Sequence, residues 1–215
     1  MKKVYCIVVF AIVLLSCNKN NKEEAISLEP ISFSKLERVE FKEPTKLVEF
    51  VQSEENGYIK NKLIGNINYS SILKPIDYMI AKKRIDENDP NLKASNFEDL
   101  QYFDLRIEVK DHNSEFIKYD LESPQQYEER VKYCSFEMQH DIKLIDGKDT
   151  LECVLFHFER AFNVVPYGHF ILGFETKNKK VIEGKTLCFD DHLFNQGIIK
   201  FTYSPSLLVK QPVLL

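Results

Sequence analysis

The sequence contains no tryptophan and only seven glycines, whereas it contains sixteen phenylalanines and ten tyrosines. Scarce glycine combined with many aromatic and β-branched residues favours a fold built mainly from strands. Charge of neither sign dominates, because 29 basic and 33 acidic side chains give a formal net charge of −4. A mildly acidic chain of this kind is a poor candidate for binding nucleic acid.

The sequence also lacks the compact motifs that mark common catalytic sites. It has no Gly-x-Ser-x-Gly nucleophile elbow, no Gly-x-x-x-x-Gly-Lys phosphate loop and no His-Glu-x-x-His zinc motif. Cysteine and histidine are present, but no pattern places a nucleophile beside a base. We therefore expect a non-catalytic protein without a cofactor, and a hydrolase remains an alternative.

Only one long apolar run is present, from Val4 to Leu15, and it follows the basic residues Lys2 and Lys3. A run of twelve residues is too short to cross a hydrocarbon core of about 30 Å, and polar chain follows directly. The pattern is typical of a secretory signal peptide rather than a retained membrane helix. We expect residues 1–16 to be removed, residues 17–30 to form a flexible tether and residues 31–215 to form a single β-rich domain.

The segment Leu14-Leu15-Ser16-Cys17, at the end of this run, resembles the lipobox of bacterial lipoproteins. The resemblance covers the first seventeen residues, and it implies that a diacylglyceryl group alkylates Cys17 and that cleavage precedes Cys17. Two or more acyl chains anchor a protein stably, at about 0.8 kcal/mol per buried CH₂. Lys22-Glu23-Glu24 is similar to the surface-export signal of some Bacteroidota lipoproteins. The expected location is the outer membrane, at its periplasmic face or on the cell surface.

Three cysteines follow Cys17, namely Cys134, Cys153 and Cys188. An odd number leaves at least one thiol without an intramolecular partner, and three cysteines do not form a dense disulfide framework. We interpret each of them as a small buried core residue.

Period-two patterns predict most of the domain, which we expect to be a mostly β, antiparallel β-sandwich-like fold with one to three short helices. The clearest strand is Tyr102–Lys110, in which apolar and charged residues alternate. Pro75 and Ser123-Pro124 are helix-start signals that predict helices over residues 76–84, where a strand is the alternative, and 124–132. Ser95 with Glu98 forms a capping-box pattern. The other predicted strands are 31–41, 46–51, 58–73 with a break near Gly65, 115–121, 133–145, 150–162, 167–175, 181–190, 197–204 and a last one within 206–215.

The turn at residues 146–149 predicts a hairpin between the strands 133–145 and 150–162. Pairing Ile145 with Thr150 places Lys143 opposite Glu152, and this opposite-charge pair supports the register.

Continued along the ladder, the same register places His140 diagonally next to His157 and Cys153, with Glu159 two residues further. Imidazole and thiolate groups are ligands of zinc and copper, so His140, His157 and Cys153 are candidates for a metal site. The alternative is two histidines that cap an apolar face through hydrogen bonds. A second polar cluster, Asp190-Asp191-His192, could hold a hard cation, but we interpret it as a loop-turning and capping element.

Together these features predict a lipid-anchored cell-envelope lipoprotein that acts as a binding or assembly module. Its expected partners are the membrane, through the lipid on Cys17, and an envelope protein or glycan. Two alternatives stay open, namely a metal-binding lipoprotein that uses His140 and His157, and a hydrolase.

Overall fold

The computed structural model describes residues 29–86, 97, 99–160, 162, 164–177 and 180–215. The predicted signal peptide, Cys17, the Lys22-Glu23-Glu24 segment and the capping pattern of Ser95 and Glu98 lie outside the described residues. What the sequence indicates for these segments stays a prediction.

Eight antiparallel strands form the main sheet. β1 (Ile31–Ser32) pairs with β9 (Val181–Ile182), and β2 (Glu37–Phe41) runs parallel to β12 (Lys210–Leu214). Across the main sheet the order is β11 (Gly197–Tyr203), β10 (Lys185–Asp191), β6 (Ile142–Asp146), β7 (Asp149–Glu159), β8 (Tyr167–Glu175), β5 (Leu100–Val109), β4 (Ile67–Lys74) and β3 (Ile59–Ile64).

The described residues contain four α-helices, α1 (Pro44–Gln52), α2 (Ile76–Asp86), α3 (Pro124–Lys132) and α4 (Pro205–Leu208). Proline stands in the first turn of α1, α3 and α4, where its missing N–H sacrifices no hydrogen bond. The helices predicted from Pro75 and from Ser123-Pro124 are confirmed.

The main sheet curves until its edge strands, β3 and β11, contact each other, so that it is nearly closed into a barrel. The predicted mostly β, antiparallel fold with short helices is confirmed. Alternate side chains point inward, as the period of a strand requires, and large apolar groups fill the interior. The interior includes Tyr69, Phe103, Leu105, Phe170, Leu172, Phe174, Phe189, Phe201 and Tyr203.

The predicted hairpin register is confirmed, because Ile145 pairs with Thr150 and Lys143 with Glu152, and the latter two side chains form an ion pair. The strand predicted from residue 133 is wrong up to residue 141, however. A π-helical turn (Tyr133–Glu137) and a 3-10 turn (Met138–Asp141) precede β6.

Burial explains this difference, because the apolar residues of the segment fit two periods at once. Cys134, Met138 and Ile142 are fully buried at a spacing of four, whereas Phe136, which the strand pattern placed on the same face, is 72% exposed. Packing in the fold therefore selects the helical period.

The strands predicted at residues 46–51 and 115–121 are also wrong. The first segment belongs to α1, where Leu47 and Val51 are buried one helical turn apart. The second contains a 3-10 turn at Phe116–Lys118. The β-branched and aromatic residues of both segments favoured strands. Strand propensity is weak, however, and the spacing of the apolar residues together with tertiary packing outweighs it. Shorter 3-10 and helical turns also interrupt the strands predicted at 31–41 and 206–215.

The nearly closed sheet has two ends. β1 and β9 lie at one of them, beside the β6–β7 turn, where the Gly147 N–H donates to the Gly184 carbonyl at 3.0 Å. We call this the proximal end. The β3–β4 turn at Gly65 and the loop after β10 lie at the other end, which we call the distal end. The seven residues of β10 separate the two by about 20 Å.

Gly168 on β8 allows the Phe116 ring to lie against the backbone. A Cβ atom at this position would stand 2.4 Å from the ring, which is far inside van der Waals contact. We expect Gly168→Ala to lower the free energy of unfolding by about 1–3 kcal/mol, measured by urea denaturation. Gly168→Ala combined with Phe116→Leu should recover part of the loss. An unchanged unfolding midpoint in Gly168→Ala would contradict this packing.

Candidate functional site

A groove of about 630 Å³ opens at the distal end. It is lined by α3 and the following π-helical turn, by the loop after β10, by the β3–β4 turn and by the chain around Tyr119. No strand of the sheet supplies more than an end residue, so the site is built from helix and loops on a rigid scaffold, as binding sites commonly are.

One face of α3 forms a wall of the groove. The Ser123 hydroxyl accepts the Gln126 N–H at 3.2 Å, and the Gln126 side-chain oxygen accepts the Glu122 N–H at 2.7 Å, which together fix the start of the helix. Side chains three or four residues apart then share one face. The residues of this wall that line the groove are Gln126, Glu129, Arg130, Tyr133 and Glu137.

The π-helical turn extends this wall beyond α3. Single π-turns are uncommon and occur frequently at functional sites. Within the turn, the Tyr133 hydroxyl donates to Asp141 Oδ2 at 2.8 Å, and burial together with this hydrogen bond raises the pKa of Tyr133. Tyr133 is therefore a neutral, oriented side chain at the groove.

The loop His192–Gln196 forms the opposite wall of the groove, and Asp191 fixes the conformation of this loop. Its carboxylate is buried and accepts the N–H groups of Leu193 at 3.0 Å, Phe194 at 3.1 Å and Gln196 at 3.3 Å. The Tyr69 hydroxyl, from the interior of the sheet, donates to the same carboxylate at 2.6 Å. The capping role predicted for this cluster is thus confirmed for Asp191, which couples the core to the groove.

Arg130 lies at the base of the groove and is committed to the protein. Its Nη1 donates to the carbonyls of Ile117 at 3.1 Å and Tyr119 at 2.5 Å, and the guanidinium stacks on the Phe194 ring at 5.4 Å. Burial lowers the pKa of Arg130, but a guanidinium still remains charged at physiological pH. Arg130 therefore ties together the two walls rather than offering a charge to a ligand.

The remaining charge in the groove is mostly negative. Four carboxylates and one guanidinium, that of Arg130, line the groove. The carboxylates belong to Asp120, Glu122, Glu129 and Glu137. The rim residue His192 lies 3.6 Å from Asp141 Oδ1 and 3.7 Å from Asp190 Oδ2. The groove thus presents carboxylates, amides and aromatic rings to solvent.

Backbone strain is also located here. Asp120 and Asn195, both in the groove, adopt positive φ values of 51° and 55°. Such residues tend to cluster at functional sites. A second groove of about 570 Å³ lies near β2 and α4, and within the described part of the chain it has neither a π-turn nor a non-glycine residue at positive φ.

The histidine and cysteine candidates are not assembled as the predicted strand pairing required. His140 lies in the 3-10 turn rather than on a strand, and His157 on β7 pairs with Ile171 of β8. Cys153 is buried, and its thiol donates to the Leu155 carbonyl at 3.1 Å. Among the described residues, no group of three His, Cys, Asp or Glu side chains is placed to hold a metal ion.

Another charged cluster, on β4, β5 and β8, stabilises the sheet. Lys74 Nζ lies 2.9 Å from Asp104 Oδ1, and His169 Nε2 lies 3.2 Å from Asp104 Oδ2. Burial alone would raise the pKa of Asp104, but the hydrogen bond from His169 and the charge of Lys74 outweigh it and lower that pKa. The arrangement is that of a buried carboxylate compensated by its neighbours.

The three cysteines of the β-rich domain, Cys134, Cys153 and Cys188, are free thiols. Burial raises the pKa of Cys153 to about 11 and also raises those of Cys134 and Cys188. At pH 8 only about one Cys153 in a thousand should be a thiolate. We expect a maleimide reagent to label these cysteines slowly in the native protein and quickly after denaturation. Rapid native labelling of Cys153, located by mass spectrometry, would contradict this picture.

Sequence reasoning found two parts of the groove, the start of α3 and the Asp190-Asp191-His192 cluster, but not that they meet. It missed Tyr119, Arg130 and Phe194 altogether. One sequence signal could have indicated this wall of the groove, namely the polar side chains at helical spacing along α3. The strand predicted from residue 133 hid the continuation of that spacing beyond α3.

No protein-family model matches the chain, and comparison with curated proteins and with solved structures gives no significant match. Within the described ranges, no helix has both the length and the apolar character needed to span a membrane.

Proposed function

We propose that the protein is a lipid-anchored module of the bacterial cell envelope that binds a partner through the distal groove and catalyses no reaction. The position of the groove carries the proposal. The groove lies at the distal end, whereas β1, the first described strand, lies at the proximal end. A lipid on Cys17 would therefore be connected to the domain at the proximal end and leave the groove at the end away from the point of attachment.

The predicted tether is compatible with this orientation. The fourteen residues from Cys17 to Pro30 can extend to at most about 45 Å, which is enough to keep the domain clear of the lipid surface. The expected partner is another envelope protein or a glycan, reached from the outer membrane at its periplasmic face or on the cell surface.

The groove is suited to binding because its walls are fixed before a ligand arrives. Asp191 fixes the loop, Ser123 fixes the start of α3, and Arg130 ties the two walls together. A preorganised site loses less conformational entropy on binding, which favours affinity.

Two adjacent glutamates on α3 allow a matched test. Glu129 lines the groove, whereas its exposed neighbour Glu128 does not. We expect the tagged wild-type protein and Glu128→Trp, solubilised from membranes in mild detergent, to retain an envelope partner. Glu129→Trp should lose it, because the indole fills the groove.

Equal urea midpoints for the two tryptophan variants would show that both are folded. The proposal fails if no protein or glycan copurifies with the wild type, or if Glu129→Trp retains the partner as well as Glu128→Trp does.

A further inference from the structure

The α3 wall carries its carboxylates in a row along the groove. Glu122 precedes the helix, Glu129 lies in its middle and Glu137 ends the π-helical turn. At 1.5 Å per residue the row extends over about 20 Å. An extended peptide of about six residues has the same length.

These carboxylates are only partly neutralised by the protein itself, because Asp120 and Glu122 interact with the charge of Arg130 through space. Among the described residues, no ion pair engages Asp120, Glu122 or Glu129, and Arg130 is bonded to backbone carbonyls. Glu137 pairs with Lys132 at 2.7 Å, but both side chains are largely exposed, and such pairs are weak. The row therefore attracts cations and repels anionic ligands such as nucleic acid or phosphate.

The rest of the groove suits a peptide. Tyr119 and Phe194 are partly exposed and lie 6.2 Å apart between ring centroids. Arg130 already covers one face of Phe194, and the aromatic surface that stays accessible can bind the stems of lysine and arginine side chains. The exposed amides of Asn195 and Gln196 at the rim can pair with backbone N–H and C=O groups. A neutral glycan would use the rings and amides but would leave the row of carboxylates unexplained.

Building on the binding role proposed above, we infer that the occupant of the groove is an extended peptide segment bearing lysine or arginine side chains, presented by another envelope protein. The carboxylate row selects the charge of the segment, and the aromatic and amide groups hold its side chains and backbone.

The test uses the full-length protein in uncharged detergent and a fluorescent hexapeptide of alternating lysine and glycine, followed by anisotropy. We expect Glu122→Gln and Glu129→Gln each to weaken binding about three-fold, because single exposed charge pairs contribute modestly. Glu128→Gln, which removes the same charge outside the groove, should bind like the wild type. Added salt should weaken binding, and the same peptide with acetylated lysines should not bind.

Equal affinity for the acetylated peptide, or an equal loss in Glu128→Gln and Glu129→Gln, would overturn the inference. Preference for a glucosamine oligomer over the lysine peptide would overturn it in favour of a glycan. If no probe binds while Glu129→Trp still releases a copurifying partner, the peptide assignment is wrong and the binding role stands. If Glu129→Trp also has no effect, both are wrong.

Discussion

The Cys17→Ala variant is expected to lose all fatty-acid label and to migrate as the longer, unprocessed chain. If Cys17 carries the lipid as proposed, the diacylglyceryl group loses its attachment point in this variant, and the cleavage that depends on it does not occur. Each acyl CH₂ contributes about 0.8 kcal/mol of membrane affinity, so without the acyl chains only the short apolar run Val4–Leu15 would still hold the variant at the membrane. Fractionation with an immunoblot, together with metabolic labelling by an alkyne-bearing palmitate, measures both effects.

Cys6→Ala is the matched control, because Cys6 lies in the same N-terminal segment but within the apolar run. We expect this variant to be processed, labelled and anchored like the wild type. Fatty-acid label that persists in Cys17→Ala, or that disappears in Cys6→Ala, would contradict the assignment of the lipid to Cys17.

The second large effect concerns Asp191. We expect Asp191→Ala to lower the free energy of unfolding by about 3 kcal/mol, because the buried Tyr69 hydroxyl and three backbone N–H groups lose a charged acceptor. The loop that forms one wall of the groove should also become mobile. Urea denaturation measures the first effect, and faster amide exchange at Leu193, Phe194 and Gln196 reports the second.

Asp190→Ala serves as the control, since Asp190 is the preceding residue and its half-exposed carboxylate lies 3.7 Å from His192. A change of only about 0.5 kcal/mol is expected there. Tyr69→Phe should fall between the two, because it removes one of the four hydrogen bonds. Equal stability of the Asp191 and Asp190 variants would show that the loop is held by something else.

Local signals predicted much of the fold. Strict alternation in Tyr102–Lys110 corresponds to β5, and the Asp146–Asp149 turn with its flanking charge pair fixes the register of β6 and β7. Ser123-Pro124 marks the start of α3 because its cap and its proline act within a few residues. These features depend on neighbours in sequence, which a single chain displays directly.

The errors occurred where local patterns were ambiguous and distant contacts decided. Cys134, Met138 and Ile142 fit both a strand and a helix, and only the exposure of Phe136 excludes the predicted strand face. The strand pairing that suggested the His140–His157 neighbourhood was wrong for the same reason, because it extended a correct register beyond the end of β6.

The groove was the feature that was hardest to predict from the sequence. Arg130 contacts carbonyls and a ring from two separate segments, and Asp191 meets Tyr69 across 122 positions. Neither contact has a periodic signature. The polar face of α3 could be recognised from the sequence. Without the position of the facing loop, however, it looks like any solvent-exposed helix face.

Site-specific photocrosslinking in intact cells tests the binding role of the distal groove most directly. A photoreactive amino acid would replace Glu129 in one variant and Glu128 in another, in the full-length lipidated protein. Binding through the groove predicts a discrete crosslinked adduct from position 129 and little or none from position 128. Equal crosslinking from both positions, or none from position 129, would contradict it.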